Sequence, residues 1–258
     1  MLFDTFVNKI TITGFLEAID PIHIGASAAE SLDPTQVDNS VLKDADGLPI
    51  IPGSSLKGVV RSDFEGVMRA VGKNVCDIFN VNDTSCTDNK FIDSVLNSSD
   101  LSELEKANAL YERSCDVCRL FGGRGLASHL SFKDCAFIGD KCIFEHRDGI
   151  GIDRDTGTAA RGCKYEFEII PKGSRFSFCL IAENLEEEQK NYLYYILRRL
   201  MSAELSIGGK TTRGFGRIKL FPDFALDKQT GTYLDFDPAL LNPLWLDIET
   251  FKAMLKLG

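Results

Sequence analysis

Leu48-Pro49-Ile50-Ile51-Pro52-Gly53-Ser54-Ser55-Leu56-Lys57-Gly58 marks the point at which the period of the chain changes. Upstream, in residues 8–18, Ile10, Ile12 and Leu16 fall on one side of an alternating segment, which predicts a strand. Downstream, Leu56, Val59, Val60, Phe64, Val67, Met68 and Val71 recur at helical spacing, with Pro52-Gly53-Ser54 supplying a stop and an N-cap at Ser54. Farther along, Tyr165, Phe167 and Ile169 alternate, Pro171-Lys172-Gly173-Ser174 turns, and Phe176, Phe178 and Leu180 alternate back. That pattern predicts a hairpin over 164–182. A second helix follows, with Leu193, Ile196, Leu197, Leu200 and Met201 on one face. Its acidic start, Glu186-Glu187-Glu188, and basic exit, Arg198-Arg199, suit the helix dipole. The fold class is therefore α+β. Without internal repeats or low-complexity linkers, one unit over 1–258 with long inserted loops is the simplest organisation.

The 258 residues, 44% of them hydrophobic, suffice for a sizeable core and argue against wholesale disorder. No apolar run approaches the roughly 20 residues of a membrane span, so no membrane partner is expected. Met1-Leu2-Phe3-Asp4-Thr5 has neither the basic start nor the apolar stretch of a signal peptide, and a cytoplasmic location is expected. The eight cysteines should then be reduced thiols, for which metal binding and burial compete. Cys135, Cys142, Cys163 and Cys179 stand among apolar residues and read as buried small hydrophobes.

The net charge of −9 excludes a uniformly basic nucleic-acid coat, but the charge is unevenly placed. Residues 77–112 hold eight acids against two lysines, and 221–258 hold six acids against three lysines. By contrast, Lys210, Arg213, Arg217 and Lys219 face Glu204 alone in 201–220, among glycines that let a backbone approach a phosphate. At the start of the first helix, amide hydrogens, the hydroxyls of Ser54 and Ser55, and Lys57 converge on a point suited to a phosphate. Gly209-Lys210-Thr211 is no P-loop: the required first glycine would fall at 204, which is Glu, and a helix precedes the loop. Asp153-Arg154-Asp155-Thr156-Gly157 is no calcium loop, because position 12 would be Lys164. Ser54-Ser55-Leu56-Lys57 satisfies Ser-x-x-Lys, but Lys210-Thr211-Thr212 replaces the Lys-Thr-Gly that an acylase needs.

Six segments in order carry a resemblance. They are His23-Ile24-Gly25, Val37-Asp38-Asn39-Ser40-Val41-Leu42-Lys43-Asp44, Pro52-Gly53-Ser54-Ser55-Leu56-Lys57-Gly58, and Cys115-x-x-Cys118-Arg119-Leu120-Phe121-Gly122. Ile152-Asp153-Arg154-x-Thr156-Gly157-Thr158-Ala159 and Gly208-Gly209-Lys210-x-x-Arg213-Gly214-Phe215-Gly216 complete the series. From about residue 8 to 220 the chain resembles the RAMP superfamily, most closely the repeating backbone subunit of type III CRISPR–Cas interference complexes. The resemblance implies a modified ferredoxin-like, RNA-recognition-type domain with inserted loops. It also implies a thumb-like hairpin at about 143–165 that wedges between guide and target RNA and contains Arg154. The partners it implies are a CRISPR guide RNA, a target RNA and other effector subunits. Guide-backbone contacts would fall to Ser54, Ser55, Lys57, Arg61, Arg154, Lys210 and Arg213.

Active relatives cut target RNA with an aspartate in the loop after the first strand, assisted by Mg²⁺ or another divalent cation. The matching residue is Asp38, with Asp33 a second candidate because this loop is spaced differently. The alternatives are a non-catalytic structural backbone, with cutting done elsewhere or not at all, and a guide-processing RAMP ribonuclease. His23 reads as structural. Cys115-x-x-Cys118 has zinc-knuckle spacing, and Cys76 and Cys86 precede it within the acidic insert at about 73–120. Four thiolates there would close a tetrahedral zinc site, with His129 a substitute ligand, and would staple an insert that has little core of its own.

Overall fold

Strand β1 (Lys9–Ala18) is central to a four-stranded antiparallel sheet of order β3-β7-β1-β8, with β3 at Leu130–Phe132, β7 at Arg175–Glu183 and β8 at Ile218–Asp223. The computed structural model describes residues 5–26, 39–79, 86 and 88–223. Alternation decides the buried face. Ile10, Ile12, Leu16 and Ala18 of β1 share it with Phe176, Phe178, Leu180 and Ala182 of β7 and with Ile218 and Leu220 of β8. Helix α1 (Gly53–Ala70) adds Leu56, Val60, Phe64 and Met68 to the same core. Helix α5 (Glu187–Met201) adds Tyr192, Leu193, Tyr195, Ile196, Leu197 and Leu200. Phe64 joins the layers: its ring packs against Tyr192 at 5.2 Å, Phe121 at 5.9 Å and Tyr195 at 6.0 Å between centroids.

Helix α1 starts two residues earlier than an N-cap at Ser54 predicts, and Ser54 is not its cap. Pro52 holds the N-cap position with no side-chain cap bond, and the Gly53 amide instead donates to Asp134 Oδ1 at 2.8 Å. Glycine is required there, because a Cβ on Gly53 would lie 2.3 Å from the Phe132 carbonyl oxygen. Helix α5 begins as expected in the acidic run, where Glu186 and Gln189 form a capping box.

The hairpin over 164–182 needs correction. Residues 159–169 do form a strand, β6 (Ala159–Ile169), but it pairs with β5 (Glu145–Ile152) in a separate two-stranded sheet. The Pro171–Ser174 turn is present, with the Ser174 amide donating to Pro171 O at 3.3 Å, yet the Gly173 amide bonds Ala18 O at 2.8 Å. The turn therefore hands the chain from one sheet to the other instead of folding it back. A short ladder joins β2 (Ile50–Ile51) to β4 (Cys135–Ala136).

The acidic insert folds as α2 (Asn89–Leu96), α3 (Glu103–Arg113) and α4 (Asp116–Phe121), with a satellite core of Ile92, Val95 and Leu110. Of the cysteines expected in apolar surroundings, Cys135 is buried, Cys142 and Cys179 are half-buried, and Cys163 is exposed. Cys163 lies on β6 between Gly162 and Lys164, in an exposed stretch of the strand that lacks a covering layer among the described residues.

Candidate metal centre and nucleic-acid interface

Cys115 is the N-cap of α4 and Cys118 lies three residues on, a spacing that sets both side chains on one face of the helix. Cys76 comes from the segment after α1, and Cys86 from the insert. The four Sγ atoms lie within 4.8 Å of one another, with Cys76 to Cys118 at 3.3 Å and Cys115 to Cys76 at 3.9 Å. Sulfurs at about 2.3 Å from one tetrahedral ion would be about 3.8 Å apart, so the set fits a single metal. Cys76 and Cys118 are 7% and 1% exposed, which shields the centre from water. The Cys115 amide donates to Cys86 Sγ at 3.0 Å, an arrangement that favours anionic sulfur.

The thiols titrate as one group. A hydrogen bond from Cys118, with others from Cys76 and Cys86, pulls Cys115 far below the ordinary thiol range. The same contact with Cys115 pushes Cys118 up. A fourfold anionic centre is thus resisted without a cation. His129 is not a member of the set: it is buried with Nδ1 donating to Glu183 O at 2.7 Å, and its ring meets Tyr111 edge-on.

A second constellation forms where the Gly-rich loop crosses β6. Gly208 has φ +84°, and a Cβ there would lie 2.3 Å from His23 O, while the Gly209 amide donates to that oxygen at 2.8 Å. The tight approach turns Lys210, itself left-handed at φ 63°, onto β6. Lys210 Nζ stands 4.2 Å from the Phe167 ring centre and 5.8 Å from that of Tyr165. Arg213 Nη1 donates to the Tyr165 hydroxyl at 2.6 Å, and the Arg147 guanidinium lies 5.4 Å over Phe215. Tyr165, Phe167 and Phe215 pack as one aromatic cluster that carries these three cations.

The loop after β1 ends on the same strand. Asn39 O accepts from the Glu168 amide at 3.0 Å, and Asn39 bridges Phe167 in parallel. The Glu168 carboxylate then takes the Val41 amide at 3.0 Å and Lys43 Nζ at 2.9 Å. His23, buried, donates from Nδ1 to Glu168 O at 2.8 Å. Burial depresses its pKa against the opposing hydrogen bond to Glu168, with the charge of Lys210 adding to the depression. Asp38 and Asp33 themselves lie outside the described residues.

The remaining expected phosphate contacts divide. Ser54 is exposed and Ser55 half-buried at the start of α1. Lys57 turns inward, with Nζ donating to Ser128 Oγ at 2.8 Å and to Leu130 O at 3.4 Å, and burial lowers its pKa. Arg61 also points away from the helix start, toward Glu65, Gly122 and Cys118. Arg154 is exposed at the turn of the β5–β6 hairpin. The neighbouring Asp153 carboxylate accepts the amides of Thr156 at 2.9 Å and Asp155 at 3.0 Å, which fixes that turn. The structure thus brings together Lys210 and Arg213, and separately the four cysteines with Arg61. Arg147, Tyr165 and Phe215 were not anticipated from sequence as site residues. Phe215, inside Gly214-Phe215-Gly216, carried the clearest signal, as an aromatic side chain flanked by two glycines and basic residues.

The family model of the RAMP superfamily matches residues 15–219. The chain belongs to the RAMP superfamily. Among characterised proteins, this RAMP chain is 26% identical over 236 residues to the CRISPR system Cms endoribonuclease Csm3 of Methanocaldococcus jannaschii, covering 86% of this chain and 82% of that protein. It is 26% identical over 238 residues to the protein of the same name from Enterococcus italicus, covering 91% of this chain and 98% of that protein. The Methanothermobacter thermautotrophicus protein of that name is 25% identical over 247 residues. The six segments singled out in the sequence and both constellations lie within the matched range.

Proposed function

We propose that this RAMP chain is a backbone subunit of a type III CRISPR effector complex that holds guide RNA and cuts the paired target RNA. The names of its relatives support the endoribonuclease activity. The observation that carries the reading is the anchoring of Asn39, next in sequence to Asp38, on β6 at Phe167, the ring on which Lys210 lies. A phosphate grip and a candidate catalytic loop therefore share one strand. Lys210, Arg213 and Arg147 supply a grip that is electrostatic and blind to sequence, which suits a subunit that must accept any guide. Ser54 and Ser55 extend it toward α1, and Arg154 extends it to the hairpin turn. Asp38, with Asp33 as the second candidate, is assigned the catalytic role, with Mg²⁺ or a similar cation to stabilise charge on the scissile phosphate.

The ferredoxin-like reading is supported by the strand order β8-β1-β7-β3, with α1 between β1 and β3 and α5 between β7 and β8. One domain is assigned to 1–258, with 73–120 as its metal-stapled insert and 143–165 as its thumb-like insertion. Exposed Ile150 and Ile152 on the β5–β6 hairpin support a wedge role for the latter. Zinc is the assigned occupant of the four-cysteine centre, because soft thiolates in a closed tetrahedron select it. No helix among the described residues is long and apolar enough to cross a membrane, and the partners assigned are guide RNA, target RNA and other effector subunits.

Asp38→Ala in the assembled complex tests the reading. Guide RNA should be retained, while target cleavage at one position per subunit falls by about 10²-fold or more. Unchanged cleavage together with loss in Asp33→Ala moves the role to Asp33. Unchanged cleavage in both leaves a structural RNA-binding backbone. Cleavage of precursor RNA by the isolated chain without metal would instead identify a guide-processing ribonuclease.

A further inference from the structure

Arg61 is two turns into α1, and its guanidinium makes three directed contacts. Nε donates to Glu65 Oε1 at 2.9 Å, Nη1 to Gly122 O at 2.9 Å, and Nη2 to Cys118 Sγ at 3.4 Å. The five donors of a guanidinium diverge in one rigid plane. With Nε set on Glu65 and Nη1 on Gly122, the direction of Nη2 is decided, and it meets the sulfur. Gly122 is the C-cap of α4 and its amide bonds Cys118 O at 2.9 Å, so Arg61 grips both ends of the turn that presents Cys118.

The charge around the centre gives this contact a purpose. Four thiolates about a divalent cation carry a formal −2, and burying that charge without a partner is costly. Nearby acids do not leave Arg61 neutralised: the Glu65 carboxylate is shared with Arg69, whose Nη2 lies 3.4 Å from Oε2 and also reaches Cys76 O at 3.4 Å. Lys73, the next cation along, is paired with Asp116 and Glu188. Two arginines against one glutamate leave the positive excess on the α1 side of the cysteines, where Arg61 lies, while Lys73 with its two acids leaves the negative one on the far side.

We infer that Arg61 is the charge partner of the four-cysteine centre, a positioning residue through which metal occupancy sets α1 against α4, and not a contact for RNA phosphate. This inference rests on the reading of the four cysteines as a metal site. Lys57, one turn earlier on α1, is tied to Ser128 and Leu130 just beyond α4, so the same stretch of helix is clamped to the metal-bearing segment at two levels.

The test uses the full chain, stripped of metal and titrated with Co²⁺ against a competing chelator. The visible spectrum of a four-sulfur tetrahedral site is the readout. Wild type and Arg61→Met should each bind one equivalent, the variant about 10- to 100-fold more weakly, as expected when an outer partner of a ligand is removed. Arg61→Lys, which keeps the charge, should fall between them. In the same preparations the salt dependence of RNA binding should keep its slope in Arg61→Met, whereas loss of a phosphate contact would lower it by about 0.7. Equal cobalt affinity in Arg61→Met and wild type overturns the inference and leaves the metal site standing. Arg61→Lys no tighter than Arg61→Met overturns the charge argument, and a reduced salt slope restores Arg61 to the RNA. If wild type shows no four-sulfur spectrum, the metal-site reading fails and this inference with it. Should Arg61→Met not fold, wild type labelled with ¹⁵N-arginine decides: Cd²⁺ must shift one guanidinium signal and slow its proton exchange. Unmoved guanidinium signals overturn the inference.

Discussion

Arg61 and Arg213 stand on opposite sides of a physical divide. The Arg61 side chain is 15% exposed and held by a carboxylate, a carbonyl and a thiol sulfur in one plane. Arg213 is exposed and held by a single phenol hydroxyl. Lys210, half-buried, rests instead on the faces of Phe167 and Tyr165. Exposed cation–ring contacts are worth about 0.5–1 kcal/mol, whereas a hydrogen bond to a charged group contributes about 1.5–3 kcal/mol. A phosphate arriving at Lys210 can therefore displace its ring contacts, and one arriving at Arg213 has a single hydrogen bond to a phenol to replace. One arriving at Arg61 would have to break three contacts and leave a buried sulfur centre without its cation. Cations that lie on rings are available, and cations in a closed plane belong to the fold.

Metal removal should produce the largest effect and tests the closed side of the comparison. With free Zn²⁺ a thousandfold above Kd, binding to the folded chain alone contributes about 4 kcal/mol. For a protein of this size that is a fall in Tm of about 8–16 °C on chelation, read by circular dichroism. Cys118→Ser should start at the lower Tm and ignore added zinc. Equal Tm with and without chelator would place the four cysteines among ordinary buried thiols and dissolve the contrast with the loop.

On the open side, Lys210→Ala with Arg213→Ala should weaken RNA binding while leaving Tm within the range of surface substitutions, about 0.5 kcal/mol per site. If each cation meets one phosphate, the slope of log K against log salt for single-stranded RNA should drop by about 1.4. A slope that stays put would mean that the rings hold these cations permanently. Net charge alone would not have foreseen either behaviour: at −9 the chain looks unfit for RNA, and the cations that matter are few and local.

How much of this was legible depended on range. β1, α1 and α5 follow from local periodicity, because Ile10, Ile12 and Leu16 or Leu56, Val60 and Phe64 report a buried face without knowledge of the partner. The pairing of β6 did not follow. Pro171-Lys172-Gly173-Ser174 has the composition of a hairpin turn, but Gly173 bonds Ala18, a residue far away in sequence, and the chain changes sheets. The four cysteines were legible because thiols announce their chemistry wherever they converge, and the structure brings all four together. The cation–ring cluster was only half legible. Lys210 and Arg213 stood out beside glycines, but Tyr165 and Phe167 read as ordinary alternating strand residues. The role of Arg61 was hidden altogether, since only the fold carries Cys118 to it.

The smallest expected effect joins the open side to the buried histidine beneath it. His23 titrates below its ordinary 6.5 because of burial, and Lys210 deepens the shift by its charge, while the hydrogen bond to Glu168 opposes both. In the window just below pH 6.5 the unfolded chain takes up a proton that the folded chain refuses, so stability falls as the pH falls. For one proton the slope cannot exceed about 1.4 kcal/mol per pH unit. Denaturation between pH 7.5 and 5.5 should therefore show a loss in wild type that His23→Gln lacks. If phosphate takes Lys210, its charge no longer bears on the imidazole, and the His23 titration followed by NMR should move up when RNA binds. An imidazole that titrates identically with and without RNA would mean that phosphate never reaches Lys210. The grip on RNA would then have to be sought at α1 and the hairpin turn.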